Sequence, residues 1–221
     1  MAPPMSVSSP LVSRSVRVGA VLIALGVIQF TAAMVVVQAT YPGYSDLTNY
    51  ISDLGNTTAS PWHVVFNVSI IVLGLLAFVG ILIAWSGFPR GATRVVGLGL
   101  LLVASIGAIG VGLFPENVDP TVHSLASLTV FGPGGVALVV LAAGMRRGTS
   151  WHWFREASAV LGLITIVSLL YYVPTDANAT IWNAGLIERF IVAPILIWGF
   201  VAAVHLARLP RLAATGRPNS A

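Results

Sequence analysis

At 221 residues, with 57% hydrophobic and 8% charged positions and a mean hydropathy of +0.91, the chain is too apolar for a soluble domain, in which about a quarter of residues are charged. Cysteine is absent, which excludes disulfides and thiolate metal sites. All eleven basic residues are arginine and the formal net charge is +4, a balance that invites a nucleic-acid reading which the placement of the arginines argues against.

In chain order, residues 1–16 are rich in Pro and Ser and are predicted to be a disordered cytoplasmic tail. Arg14 and Arg17 flank an apolar run over 18–39. That run reaches the ~20 residues a bilayer span needs, and it lacks a convincing small-x-small cleavage site followed by soluble sequence, so it reads as a transmembrane helix and not as a signal peptide. Further spans are predicted at 62–85, 95–114, 122–144, 157–173 and 186–206, bounded by Pro, Gly or charged residues. The fifth is the shortest, near the lower limit for crossing. The expected fold is therefore an all-α integral membrane domain over 17–206 with six transmembrane helices, followed by a second cytoplasmic tail over 207–221.

Charge sets the expected orientation. In a six-span arrangement ten arginines fall on one side with Glu156 as the sole acid, and six acids fall on the other with Arg189. The positive-inside rule places both termini in the cytoplasm, in a multi-pass protein of the plasma (inner) membrane. The basic balance then reflects topology and contact with anionic lipid head groups, not nucleic acid. Membrane lipids are the expected partners, and self-association into a homo-oligomer is left open. Connections on the arginine side are short, whereas those on the acidic side carry the polar residues that make sites.

The first acidic-side connection holds Tyr44-Ser-Asp-Leu-Thr-Asn-Tyr-Ile-Ser-Asp-Leu-Gly55. Ser45 suits an N-cap and Gly55 a helix end. Leu47, Ile51 and Leu54 recur at helical spacing opposite Asp46, Asn49 and Asp53, which predicts a short amphipathic helix in this loop. Its plainest role is an interfacial cap; alternatively its polar side faces a cavity.

In the second such connection Pro115 and Pro120 bracket Glu116, Asn117 and Asp119. Thr121 is the expected cap of the next helix, whose first turns carry His123 and Ser124, with Ser127 on the His123 face. His123 can accept a proton, ligate a metal or tie two helices together. His63, after Trp62, suits the head-group level. In the third connection Glu188 and Arg189 are adjacent and point about 100° apart on a helix, so each needs its own partner. Asp53 or Glu116 is the expected partner of Arg189, with an anionic head group as the alternative.

These segments, Tyr44-Ser with Asn49-Tyr-Ile-Ser-Asp-Leu-Gly55, Gly112-x-Phe-Pro115 with His123-Ser124, and Gly185 with Glu188-Arg189, resemble the motif set of the domain of unknown function 998 family of prokaryotic membrane proteins over about residues 17–206. The resemblance implies a six-helix membrane protein whose recurring polar residues match Ser52, Asp53, His123, Ser124, Glu188 and Arg189, and it brings no activity with it. More distantly, the layout is similar to the Frag1/DRAM/Sfk1 group linked to lipid handling, a likeness of layout alone.

All matched polar residues lie on the expected outer side, which a shared polar cavity around Asp53, His123 and Arg189 explains more simply than separate surface features. One functional class is a protein that binds or modifies a lipid or other amphiphile, hydrolysis included. There Asp53, His123, Ser124 and Glu188 are the candidate catalytic groups, and Arg189, Ser52, Asn49 and Glu116 the candidate binding groups. A divalent metal such as zinc, held by His63, His123 and Asp53, would activate water, but the histidines lack HxxxH or HExxH spacing, and no Gly-x-Ser-x-Gly elbow marks a serine nucleophile. The other class is a small-solute transporter or a non-catalytic membrane component, to which Phe131-Gly-Pro-Gly-Gly135 would contribute a helix break. The plainer account of that motif is a kink with close packing.

Overall fold

The computed structural model describes residues 13–177 and 183–210, with the side chains of 174–177 excepted. Most of both expected tails, and residues 178–182 of the third acidic-side connection, lie outside the described residues. The described chain is helical: α1 (Arg14–Thr40), α2 (His63–Ala84), α3 (Ala92–Leu113), α4 (Pro120–Gly144), α5 (Arg155–Ala177) and α6 (Ala184–Arg208), with 3-10 turns at Ser52–Gly55, Trp85–Gly87 and His152–Phe154. All six helices are long and apolar enough to cross a membrane. With an even number of spans, the first and last helices meet at the arginine-rich end of the bundle.

The helices differ from the sequence expectation at their margins. The fifth has 23 residues, because Arg155 and Glu156 belong to its first turn and the helix runs on through residues 174–177 at its other end; charged side chains at a helix end can reach the interface while their backbone continues the helix. The Pro133 region does not break α4, which runs on through it. Pro133 has no N–H for the carbonyl one turn earlier, a loss tolerated inside a bundle, where packing re-satisfies the backbone, and Gly134 and Gly135 let Ile195 and Thr165 approach.

Neighbouring helices pack α1 on α2, α2 on α3 and α3 on α4, and α6 closes the ring against α1 and α4, while α5 lies outside between α4 and α6. In lipid, association rests on close packing, which small residues permit. At the α1–α2 crossing a Cβ on Gly19 would stand 2.5 Å from the Gly80 carbonyl oxygen, so the two backbones meet directly. Two apolar cores result. The larger, at the arginine-rich end, contains Leu98, Leu138, Met145, Trp151, Trp198 and Leu206. The smaller, at the acidic end, contains Phe30, Val37, Phe66 and two loop residues, Ile51 and Leu54.

Candidate functional site

The acidic end is built around the loop after α1. The predicted amphipathic helix over 45–55 is here only as a turn near 46–48 and the 3-10 turn Ser52–Gly55. Side chains hold the backbone groups that a continuous helix would use. Asp53 Oδ2 accepts from the Tyr50 N–H at 3.0 Å and from Asn49 Nδ2 at 2.9 Å, the Asn49 Oδ1 accepts from the Ser45 N–H at 3.1 Å, and the Ile51 N–H donates to Glu188 Oε2. Such local bonds compete with the helical ladder. Ile51 and Leu54 are buried as the pattern predicts, but Leu47 is exposed because the irregular path takes it off their face.

The loop is fastened from several directions. Asn67 of α2 donates to the Gly55 carbonyl at 3.0 Å. Asn117 exchanges two bonds with Thr57, at 3.0 and 2.8 Å. The start of α6 docks where the Leu186 N–H, one of the donors a helix start leaves unpaired, reaches the Leu47 carbonyl at 3.2 Å. Glycine at 185 is required, since a Cβ there would collide with the Asn49 and Asp46 carbonyl oxygens.

Glu188 and Arg189 diverge as their spacing demands, and each is held. Glu188 is 6% exposed and turns inward to the Ile51 N–H. Arg189 turns outward, but its ion pair is with Asp46 at 2.6 Å, not with Asp53 or Glu116. Its guanidinium also donates to the Tyr44 hydroxyl at 2.8 Å, the Gly185 carbonyl at 2.9 Å and the Asn49 carbonyl at 3.2 Å, with the Tyr44 ring 5.7 Å beneath it. Gln38 joins at 2.9 Å to Asp46. Tyr44, Asp46 and Gln38 were not among the expected site residues; the signal was that an arginine beside a span must find several acceptors at once.

Asp53 and Glu116 meet as a carboxyl pair. The Ser52 hydroxyl donates to Glu116 Oε2 at 2.7 Å. Burial first, then the hydrogen bond and charge of Asp53, push the Glu116 carboxyl up to about 7, since two carboxyls in contact cannot both ionise cheaply. The Tyr44 hydroxyl is raised by burial, against the opposing effect of Arg189.

The two histidine candidates bond to backbone carbonyls outside this cluster. His123 Nδ1 lies 2.9 Å from the Phe114 carbonyl and ties α4 to the end of α3. Ser124 is exposed. The α4 cap is Asp119, whose carboxylate accepts from the Val122 N–H at 3.0 Å, not Thr121; Pro120 takes the first helical position, where its missing N–H costs nothing, and so the cap lies two residues back. His63 Nδ1 lies 2.9 Å from the Ser60 carbonyl in its own turn. Among the described residues no three His, Asp or Glu side chains are grouped so as to hold a metal ion, so His63, His123 and Asp53 are not a ligand set in this geometry.

Below the polar cluster the ring of α1, α2, α3, α4 and α6 encloses a cavity of about 140 Å³. Ser52 and Glu188 line its acidic end, Ser105 and Ser127 its middle, and Phe88 and Trp198 its arginine-rich end, with apolar side chains elsewhere. Above it Ile51 and Leu54 pack on Phe30 and Phe66. Below it Phe88 stacks on Trp151 at 4.9 Å and on Trp198 at 6.3 Å, and Trp151 Nε1 bonds the Gly87 carbonyl at 3.1 Å.

The family model described as a protein of unknown function (DUF998) matches residues 24–205. No curated protein and no solved structure matches the chain.

Proposed function

This chain belongs to the DUF998 family of proteins of unknown function, and we propose that it binds a single-chain amphiphile in the membrane, with the hydrocarbon in the cavity and a non-anionic, hydrogen-bond-donating head at Ser52 and Glu188. The observation that carries this reading is the cavity itself, an apolar lumen ending at a hydroxyl and a buried carboxyl. At about 140 Å³ it is well below the ~300–1,000 Å³ of pockets for drug-sized ligands, and its lining reaches from the acidic-end loop to Ala202 near the other end of α6. A long, narrow apolar space suits one alkyl chain.

The head-group chemistry follows from charge. Asp53, Glu116 and Glu188 gather at that end, and Arg189, the cation beside them, gives its donors to Asp46, Tyr44 and two carbonyls. An alcohol, amide or amine finds acceptors there, whereas a phosphate or carboxylate meets the negative charge that the Asp53–Glu116 pair retains. Hydrolysis draws less support, because His123 bonds a carbonyl and Ser124 is exposed. Transport draws less support because the aromatic stack closes the far end of the lumen.

The test is ligand-induced thermal stabilisation and native mass spectrometry of the protein in lipid nanodiscs with dodecanol, dodecylamine and dodecyl phosphate. The alcohol and the amine should bind and the phosphate should not. Ala104→Phe, which fills the lumen from a lining position, should abolish both. Binding of dodecyl phosphate as tight as the alcohol would overturn the head-group assignment, and unchanged binding to Ala104→Phe would overturn the cavity.

A further inference from the structure

The cavity is closed at both ends, which raises the question of how any chain enters it. Ile51 and Leu54 seal the acidic end, with Leu54 fully buried, and the Phe88, Trp151 and Trp198 rings seal the other. The side wall is thinner in one place. A groove runs along the outside of the bundle between α1 and α6, lined by Ile28, Val35, Val36, Ile197 and Phe200, all exposed. Two residues, Val27 and Leu196, line this groove and the internal cavity alike, and both are half-buried. Each has one side toward the lumen and one toward the groove, so a single layer of side chain separates the two spaces. Beside them stands Gly199, which also lines the cavity and has no side chain to thicken the wall.

We propose that the contact of Val27 with Leu196 and Gly199 is a lateral portal, through which the alkyl chain of an amphiphile passes from the bilayer hydrocarbon into the cavity. This rests on the amphiphile reading above and adds the route and the residues that control it. Val27 lies at the middle of α1 and Leu196 at the middle of α6, so in a spanning helix they sit at the depth of the lipid chains, far from the head groups. Hydrocarbon therefore already fills the groove. Opening the wall needs only rotamer changes in one valine and one leucine, with no polar group to desolvate. A small uncharged head crosses this depth at far lower cost than an ion, in keeping with the alcohol or amide expected at Ser52 and Glu188.

The portal can be stapled. A Cβ on Gly199 would stand 3.6 Å from Val27 Cγ2, within reach of disulfide geometry, and the natural chain has no cysteine to interfere. In nanodiscs, Val27→Cys/Gly199→Cys protein would be mixed with dodecylamine bearing a terminal diazirine, irradiated at intervals, and the labelled residues mapped by mass spectrometry. Labelling of cavity residues such as Ala104 and Val130 should slow by about an order of magnitude in the oxidised protein, as for a closed gate, and recover on reduction. Val27→Ala, which thins the wall, should label faster than the natural chain. Equal rates in the oxidised and reduced states would overturn the portal while leaving the amphiphile reading intact, as would an unchanged rate in Val27→Ala. Absence of cavity labelling in the natural chain would overturn both.

Discussion

Glu116 is the residue through which pH acts on the acidic end. Its carboxyl, pressed against Asp53 and partly buried, titrates near 7 when folded and in the ordinary range when unfolded. Between those values the folded protein keeps a proton that the unfolded chain releases, so stability is greatest below the ordinary value and falls as pH rises through about 7. One proton limits the slope to about 1.4 kcal/mol per pH unit. Unfolding of the protein in SDS-containing mixed micelles, followed between pH 4 and pH 8, should show this decline, and Glu116→Gln should flatten it. An unchanged slope in the variant would assign the proton elsewhere. At this scale the sequence was legible in part. The adjacency of Glu188 and Arg189 required them to diverge, and they do. The partner of Arg189 was not legible, because Asp46 reaches it only after the loop turns back beneath the start of α6.

At the scale of elements, the spans were readable because each is an uninterrupted apolar run of about the length a bilayer requires. The loop over 45–55 was not, because its shape is decided by groups distant in the chain: Glu188 takes the Ile51 N–H and Asn67 takes the Gly55 carbonyl. Local periodicity contains no trace of either. Glycines show the same division between pattern and context. Of the five glycines in the third span, Gly97, Gly107, Gly110 and Gly112 meet neighbouring helices, whereas a Cβ at Gly99 would have nothing within 4 Å. Gly107→Ala would bring its methyl 2.8 Å from the Ala126 carbonyl oxygen and 2.9 Å from the Val130 nitrogen, and should destabilise by about 1–3 kcal/mol, the usual cost of overpacking. Gly99→Ala should be neutral to within about 1 kcal/mol or slightly stabilising, from helix propensity. Equal losses in an SDS unfolding titration would contradict this packing.

For the molecule as a whole, the even number of spans and the separation of charge make opposite ends chemically distinct. Single cysteines at Thr58 and Ser86, both exposed and at opposite ends of α2, should label differently with a membrane-impermeant maleimide on intact cells: Thr58→Cys from outside, Ser86→Cys only after lysis. The reverse pattern would invert the proposed orientation and move the carboxyl cluster to the cytoplasmic face.

The aromatic stack at the arginine-rich end has an electrical consequence. A lumen that reaches from the Glu188 carboxyl to rings near the opposite end of the bundle would be a proton leak if water filled it, and would short-circuit any gradient. Its apolar walls disfavour a continuous file of water, and the Phe88, Trp151 and Trp198 rings interrupt what is left of the path. Most of a transmembrane voltage, about 2.3 kcal/mol per charge per 100 mV, therefore falls along the lumen and across these rings. Asp53 and Glu116, which do not line the lumen, would then exchange protons with the solution on their own side of the rings.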